Sequence, residues 1–479
     1  MFSLYNSIQQ FNQFGIKNLE NIVSNFYKNT NDVYSLVEGI RKAVVELGCN
    51  MIQEIFNDIN TAIVESTKRK DKWHIVRTDT KQLVTSLGVI AFSKTLFKHK
   101  KTGVRTYLLD KQLGIESHER ITEDAEVLLY KEAAQTSYRR AGEAVCLTED
   151  TVSKQTVKDK VQALIFPEDR YVGTKKCVDY LYIDADEDHI ALQKQDTQTH
   201  STITKLVYLY EGIAPETPGS RRMRLVNPYY FTGLYSGKDN NTLWNEIYRY
   251  IDSRYDLDKI KKIYVNADGG TWIKAGAQIL GAKYVLDEFH LRKVINGIVS
   301  SVKKNADLVK TQIYEYLNAG KKTELKNILG VIAVGTETLS EERKVLESRK
   351  YLINNWSAAR TRLRKTGSVL PCSAEGHVSH VLSSRMSSRP MAWSFDGADA
   401  IARLRSYILN GRDILKLVRY QKEKIVVGAD DIVLSCADML SNERKQYKKN
   451  GKYYDAIQVS VSSQIAKKFF FRNHLALNW

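Results

Sequence analysis

Three acidic residues, far apart in the chain, sit in settings suited to phosphodiester chemistry. Asp268 ends the run IYVNAD and is followed by two glycines; Asp186 lies in YLYIDADEDHIALQ; Glu375 falls in the first turn of the helix opened by LPCSAEGH. They are separated by 82 and 107 residues. Carboxylate oxygens of such a trio can hold two Mg2+ or Mn2+ ions about 3.5 to 4 Å apart, one activating an attacking oxygen and the other stabilising a leaving one. Each residue also has an ordinary role, since Asp before Gly-Gly makes turns and a first-turn Glu suits the helix dipole. Period-two alternation puts Asp184, Asp186 and Asp188 on one strand face, so parity leaves all three open as the first ligand. His377 and His380 beside Glu375 lack the partners that a tetrahedral zinc site needs.

The elements that must position this trio are legible as patterns. Apolar runs at Val178–Ile183, Lys205–Tyr210, Tyr229–Tyr235, Ile263–Val265 and Tyr284–Leu286 read as strands, with helices from Asn241 to about Arg254 and from Trp272. Three strands, helix, strand, helix, strand is the order of a ribonuclease-H-like core, and it places Asp268 at the carboxyl end of a strand, where open α/β sheets keep their ligands. The expected fold is multidomain α+β. A helical region spans 1–75, with three- and four-residue periodicity from Val33 to Val64 suited to its own core or to another subunit. A small β-hairpin module spans 76–115, with Lys98, Lys100, Lys101 and Arg105 clustered at the turn HKKTG, where they could meet a DNA backbone. A helix-turn-helix domain is expected over 116–170, its last helix capped by Ser153 and exposing Lys154, Gln155 and Lys158 to the major groove. The catalytic core follows over 171–290 and, after an all-α insertion at 291–370 with a capping box at Thr338 and Glu341, resumes over 371–410. A basic region, 411–479, carries 13 Lys+Arg against 7 Asp+Glu.

Composition narrows the class of protein. With 43% hydrophobic and 27% charged residues among 479, the chain has enough material for several packed domains. Its net charge of +17 points to a polyanionic partner, because neutralised phosphates release counterions. Five scattered cysteines without a CxxC pair read as reduced thiols. No secretory signal and no apolar run of membrane-spanning length is evident, so a protein of the cytoplasm, in a cell whose DNA is accessible there, is expected, with no membrane partner.

The runs YLYIDADEDHIALQ, IYVNADGGTWIKAGAQILGAKYVLDEFHLRK and SAEGHVSHVLSSRMSSRPMAWS resemble those of ISLre-type bacterial insertion-sequence transposases, relatives of the Mutator-like transposases in the DDE superfamily. The resemblance covers about Thr78 to Leu415. It implies a ribonuclease-H-like domain with a helical insertion between the second Asp and the Glu, favours Asp186 as first ligand, and implies double-stranded DNA, element ends and target, as partner. Asp287 and His290 fall where those relatives carry Cys-x-x-His, with Asp replacing Cys. His290 would contact the scissile phosphate or steady Asp268, unless it only caps its helix. Trp356, in the insertion, is a candidate to stack on a flipped base near the cut, although tryptophan is commonly a core residue. Handling two ends together implies a homodimer or larger assembly. The rival classes are a non-cutting, host-adopted DNA-binding regulator and a structure-specific nuclease that cuts but never joins strands.

Overall fold

Apolar residues recurring at helical spacing in the first 65 residues produce a pair of antiparallel helices, α1 (Ile16–Lys28) and the 33-residue α2 (Val33–Glu65), the latter capped by Asp32, whose side chain accepts from Ser35 N. The structure, a computed structural model, describes residues 5–169, 171–193, 201–237, 239–364, 368–422 and 434–435. The long helix lies against a three-stranded antiparallel sheet, β1 (Trp73–Val84), β2 (Val89–His99) and β3 (Arg105–Tyr107), followed by a short helix α3 (Leu108–Leu113). Ile59 and Ile63 of α2 pack with Leu83, Phe92, Phe97, Leu108 and Leu109. Along β2, the backbone N–H groups of Ala91, Ser93 and Thr95 donate to Gln53, Asn57 and Asn60 of α2 at 2.8–3.0 Å. The helix thus satisfies a strand edge that would otherwise be open to pairing.

This sheet differs from the expected hairpin. It begins at Trp73, before the boundary at 76, because every residue from His74 to Thr78 is exposed, Ile75 and Val76 included, and no alternation marks the strand. The segment after β3 turns helical at Leu108, which buries Leu108 and Leu109 together.

Three helices follow: α4 (Glu123–Ala133), α5 (Tyr138–Glu143) and α6 (Lys154–Gln162). Ser153 caps α6 as expected, accepting from Thr156 N at 3.1 Å, and Val157 and Val161 are buried. The turn is not that of a helix-turn-helix. Residues 144–153 separate α5 from α6, where the motif takes three or four. The intervening chain is drawn off by tertiary bonds: Cys146 Sγ donates to Thr85 O, Leu147 N to Ser86 O, and Asp150 Oδ2 accepts from Val89 N. The chain divides into two compact units, one of Met1–Leu128, Glu143–Val152 and Lys422–Trp479, the other of Leu129–Gly142 and Ser153–Gln421, so the three helices are shared between them.

The second unit is built on a five-stranded sheet. Its strands are β4 (Tyr180–Ala191), β5 (Ser201–Tyr210), β8 (Tyr229–Gly233), β9 (Lys262–Ala267) and β10 (Lys283–Leu286), with a separate two-stranded ribbon, β6 (Gly212–Pro215) and β7 (Met223–Val226), between the second and third. The spatial order is β10-β9-β4-β5-β8; β5 is antiparallel to β4 and β8, while β9 and β10 run parallel to β4. Helices α7 (Asp239–Arg254) and α8 (Thr271–Ile279) cover one face, where Leu181, Ile183, Val207, Leu209 and Val265 meet Trp244, Ile247 and Ile273. The other face carries tyrosines: Tyr182 stacks on Tyr210 and Tyr264 with ring centroids 5.5 and 5.7 Å apart, and Tyr208 on Tyr210 at 5.9 Å.

The helical insertion has its own core. It comprises α9 (Glu288–Val299), α10 (Ala306–Ala319), α11 (Lys322–Val334), α12 (Leu339–Asn354) and α13 (Trp356–Arg364), joined by Leu291, Ile295, Ile313, Leu317, Leu325, Leu329 and Leu352. Both hydrogen bonds of the Thr338–Glu341 capping box are present. The short helix α14 (Ala374–Val378) continues into a π turn at Ser379–Ser383, and α15 (Phe395–Leu409) packs over β8 and α6. Most of the basic region 411–479 lies outside the described residues. Among the described residues no helix is long and apolar enough to cross a membrane.

Candidate active site

Parallel pairing of β4 with β9 runs as far as Asp184 opposite Asn266. Two residues past that pair, Asp186 on β4 and Asp268, in the bend that follows β9, are close enough for the charge of Asp268 to act on Asp186. On the next strand, β10 ends at Leu286 opposite Ala267, and Asp287 N donates to Ala267 O at 2.8 Å. The middle of β4, where its pairing with β9 stops, and the carboxyl ends of β9 and β10 therefore present Asp186, Asp268 and Asp287 in a row, with His290 in the first turn of α9.

The chemistry of the three aspartates on β4 is separated by their surroundings. Asp184 is fully buried and accepts from Tyr208 OH (2.8 Å), Tyr210 OH (3.2 Å), Asn266 Nδ2 (2.7 Å) and Ser373 N (2.9 Å). Burial pushes its pKa up against the pull of these donors. Asp188 accepts from Ser383 and Ser387 hydroxyls at 3.0 and 2.7 Å. Among the described residues Asp186 accepts only from its neighbour, Glu187 N, at 2.8 Å. Its pKa is raised to about 6, first by burial and further by the negative charge of Asp268, with the Glu187 N–H and His290 opposing. A like charge nearby raises the cost of ionising a buried carboxylate.

Asp268 has a double role. One carboxylate oxygen accepts from Gly270 N at 2.9 Å, the turn bond that its Asp-Gly-Gly sequence suggests. Gly269, at φ 116°, lies where an added Cβ would be 2.8 Å from the Tyr351 ring, and Tyr351 OH donates to Asp268 O. Helix α12 of the insertion thereby holds the turn that carries the carboxylate. Asp287 caps α9 and accepts from His290 Nδ1 at 2.9 Å. That bond raises the His290 pKa against its burial, with Asp287, Asp268 and Asp186 all adding in the same direction. Asp287 is burdened by desolvation, yet the His290 bonds more than offset it and hold its pKa low.

Glu375 is exposed in the first turn of α14, which packs against β4. The start of that helix is fastened by Ser373, bonded to Asp184 and to Tyr208 OH. Among the described residues no three His, Cys, Asp or Glu side chains stand together as a ready metal cage. The donor set fits a hard cation to the extent of the Asp186–Asp268 pair; Glu375 is not gathered with it. His377 is a packing residue, its ring 4.3 Å from that of Tyr208, with Nδ1 3.3 Å from Tyr230 OH.

Sequence reasoning missed the polar network behind the site. Arg362, buried in α13, donates to Leu286 O (2.8 Å), Leu370 O (2.7 Å) and Asn266 Oδ1 (2.8 Å), and Asn266 passes the chain on to Asp184. It joins β4, β9, β10, the insertion and the α14 segment. Arg362 sits in a basic, helical stretch, so no sequence signal set it apart from surface arginines.

The proposed DNA-contacting residues are elsewhere. Lys98, Lys100, Lys101 and Arg105 are exposed around the β2–β3 turn, with Lys98 opposite Arg105 and Lys100 Nζ on Lys70 O at 2.7 Å. Lys154 and Gln155 are exposed on the first turn of α6 and Lys158 is half-buried; Gln155 bonds Asp159 at 2.7 Å. Trp356 is half-buried and lines a groove with Lys262 and Lys283, at the amino ends of β9 and β10.

A mixed α+β chain with an acidic pair on adjacent parallel strands can now be set beside known proteins. Residues 27–424 match UPF0236, an uncharacterised protein family, and the chain belongs to it. It is 34% identical over 415 residues to a UPF0236 protein of Caldanaerobacter subterraneus subsp. tengcongensis, covering 86% of this chain and 85% of that one; the relative's name joins eleven locus designations. A second UPF0236 protein of that organism, whose name joins four, is 35% identical over 400 residues, 83% of this chain and 82% of its own. Among solved structures, the Drosophila P element transposase strand transfer complex aligns with 72% of this chain and 90% of its own at 11% identity and a TM-score of 0.23, a likeness too slight to bear on function or mechanism.

Proposed function

We propose that this protein is a DNA transposase of a bacterial insertion sequence, of the ISLre kind, that cuts and joins DNA where the middle of β4 passes the carboxyl end of β9. The observation that carries the reading is the Asp186–Asp268 pair on a sheet whose strands, counted in chain order, lie 3-2-1-4-5, with the second antiparallel to the first and the last two parallel to it. That is the ribonuclease-H-like order, and an acidic pair at its central strands suits metal-assisted phosphodiester chemistry. Relatives whose names join many loci of one genome are in keeping with an element that copies itself.

In this reading Asp186 and Asp268, joined by Glu375 once DNA is bound, hold divalent ions, Mg2+ or Mn2+. Bound there, the ions would supply Lewis acidity at the phosphate. The chain's own contributions are positional. Tyr351 and Gly270 fix the Asp268 turn, Arg362 and Asp184 lock the strand ends together, and the Asp287–His290 pair sets a charge-assisted donor beside the carboxylates.

The test is cleavage and strand joining on linear DNA carrying the sequences that flank the gene, with Mg2+ or Mn2+. Metal-dependent nicking and joined products are expected, with both lost in Asp186→Asn and Asp268→Asn while DNA binding persists. Cleavage without joined products would make the protein a nuclease. Because Glu375 stands apart from the pair, a DNA-binding regulator that does not cut is the second reading; full activity in Glu375→Gln would remove Glu375 from the site, and no activity in the parent would favour the regulator.

A further inference from the structure

Beneath the helical insertion, reaching the amino ends of β9 and β10, lies a groove of about 380 Å3 lined by Lys262, Tyr264, Lys283, Trp356, Arg360 and Arg364, with Ser357 and Thr361. None of these is acidic. Lys262 begins β9 and Lys283 begins β10, where it lies opposite Tyr264. Among the described residues neither lysine has an acidic partner within ion-pair distance. Arg360 is held by Leu317 O at 3.1 Å, with its guanidinium 6.0 Å from the centre of the Trp356 ring. Arg364 is exposed and the indole half-exposed.

We propose that this groove is a second nucleic-acid site, which takes a single strand by its phosphates on Lys262, Lys283 and Arg364 and by an unstacked base on Trp356. Four cations around an accessible aromatic surface are the composition of single-strand sites, in which the backbone is tracked by charge and bases stack without sequence preference. A duplex keeps its bases stacked inside and offers Trp356 nothing. The groove opens away from the cutting site: β9 runs from Lys262 to Ala267, which at strand rise sets its Lys262 end about 20 Å from Asp268. The proposal takes its ligand class from the reading of the chain as a DNA enzyme and adds a place for a strand away from the reacting phosphate.

The experiment uses the full chain carrying Asp268→Asn, in chelator, with a fluorescein-labelled oligothymidylate followed by anisotropy. Lys262→Glu with Lys283→Glu is expected to weaken binding about tenfold and to flatten its salt dependence. Trp356→Leu should lose about tenfold on the same strand, nothing on an equally long abasic strand, and recover in Trp356→Phe. Unchanged affinity in the double lysine variant, with the parent's thermal midpoint retained, overturns the site. So does equal loss on abasic strand and duplex, which would make it a general polyanion surface, or competition by thymidine monophosphate as effective as by the strand, which would make it a nucleotide pocket. Strand binding is read without cleavage, so a chain that never cuts DNA can still pass or fail this test.

Discussion

Two aspartates two positions apart on β4 show how surroundings divide one residue type between structure and chemistry. Asp184 is the hub of a buried network, with its oxygens taken by Tyr208, Tyr210, Asn266 and Ser373. Asp184→Ala leaves those donors buried and unpaired, and is expected to cost about 3 kcal/mol or more of stability, seen as a lowered thermal transition of the purified chain. Asp186 behaves in the opposite sense. Its folded pKa of about 6 exceeds the ordinary 3.8, so its contribution is fully present below the ordinary value and is lost as pH rises through 6. Above that pH the buried, ionised carboxylate destabilises the protein by on the order of 3 kcal/mol. Asp186→Asn should therefore raise the thermal midpoint in chelating buffer at pH 8 and change it little at pH 4. A midpoint unchanged at pH 8 would mean that neither burial nor the charge of Asp268 opposes its ionisation.

At the scale of elements, the Asp268 strand is held from beneath by a close contact. Gly276 on α8 faces the Trp244 indole so nearly that an added Cβ would lie 1.9 Å from the ring. Trp244 Nε1 also donates to Trp272 O at 3.0 Å, which fixes how α7 and α8 approach the sheet. Gly276→Ala should push these helices apart, with a loss of about 1–3 kcal/mol, measured by chemical denaturation; an unaffected midpoint would show that the indole can swing away at little cost. The elements around this contact were legible because their signals are local. Ile263–Val265 and Tyr284–Leu286 are short apolar runs bounded by turn residues, and Thr338 with Glu341 spells a cap. What stayed hidden depends on groups far apart in sequence. The separation of α5 from α6 comes from Cys146 and Asp150 bonding to the β1–β2 turn, and a helix-turn-helix pattern carries no information about that. Tyr351 reads as a core position until its hydroxyl is found on the Asp268 carbonyl, and the β6–β7 ribbon, largely exposed along β7, has no apolar alternation to announce it. The acidic pair was visible as chemistry, whereas the exposed position of Glu375 could come only from coordinates.

For the whole molecule, the first half of α2 bears on how many copies act together. Its inner face is used: Gly39 lies against Ile22 of α1, and further along Val45 and Cys49 enter the core of the first unit. Its outer face is apolar as well, with Val33, Val37, Ile40 and Val44 exposed at 55, 59, 39 and 55%. These positions are spaced by four, three and four residues, the repeat that keeps a seam turned toward a partner helix in a coiled coil, and a surface helix without such a partner would be expected to carry polar residues there. A second copy of the chain meets the requirement with the same stripe on each side, as a two-fold interface demands, and an enzyme that handles two DNA ends has use for two copies. The expected outcome is a dimer by light scattering for the parent chain, converted to monomer by Val37→Glu with Val44→Glu, two exposed positions whose change leaves the α2 core untouched. Cleavage of a single end by the variant should survive while joined products of paired ends fall at least tenfold. A parent that runs as a monomer both alone and with DNA ends would remove α2 from assembly and leave the stripe to some other partner.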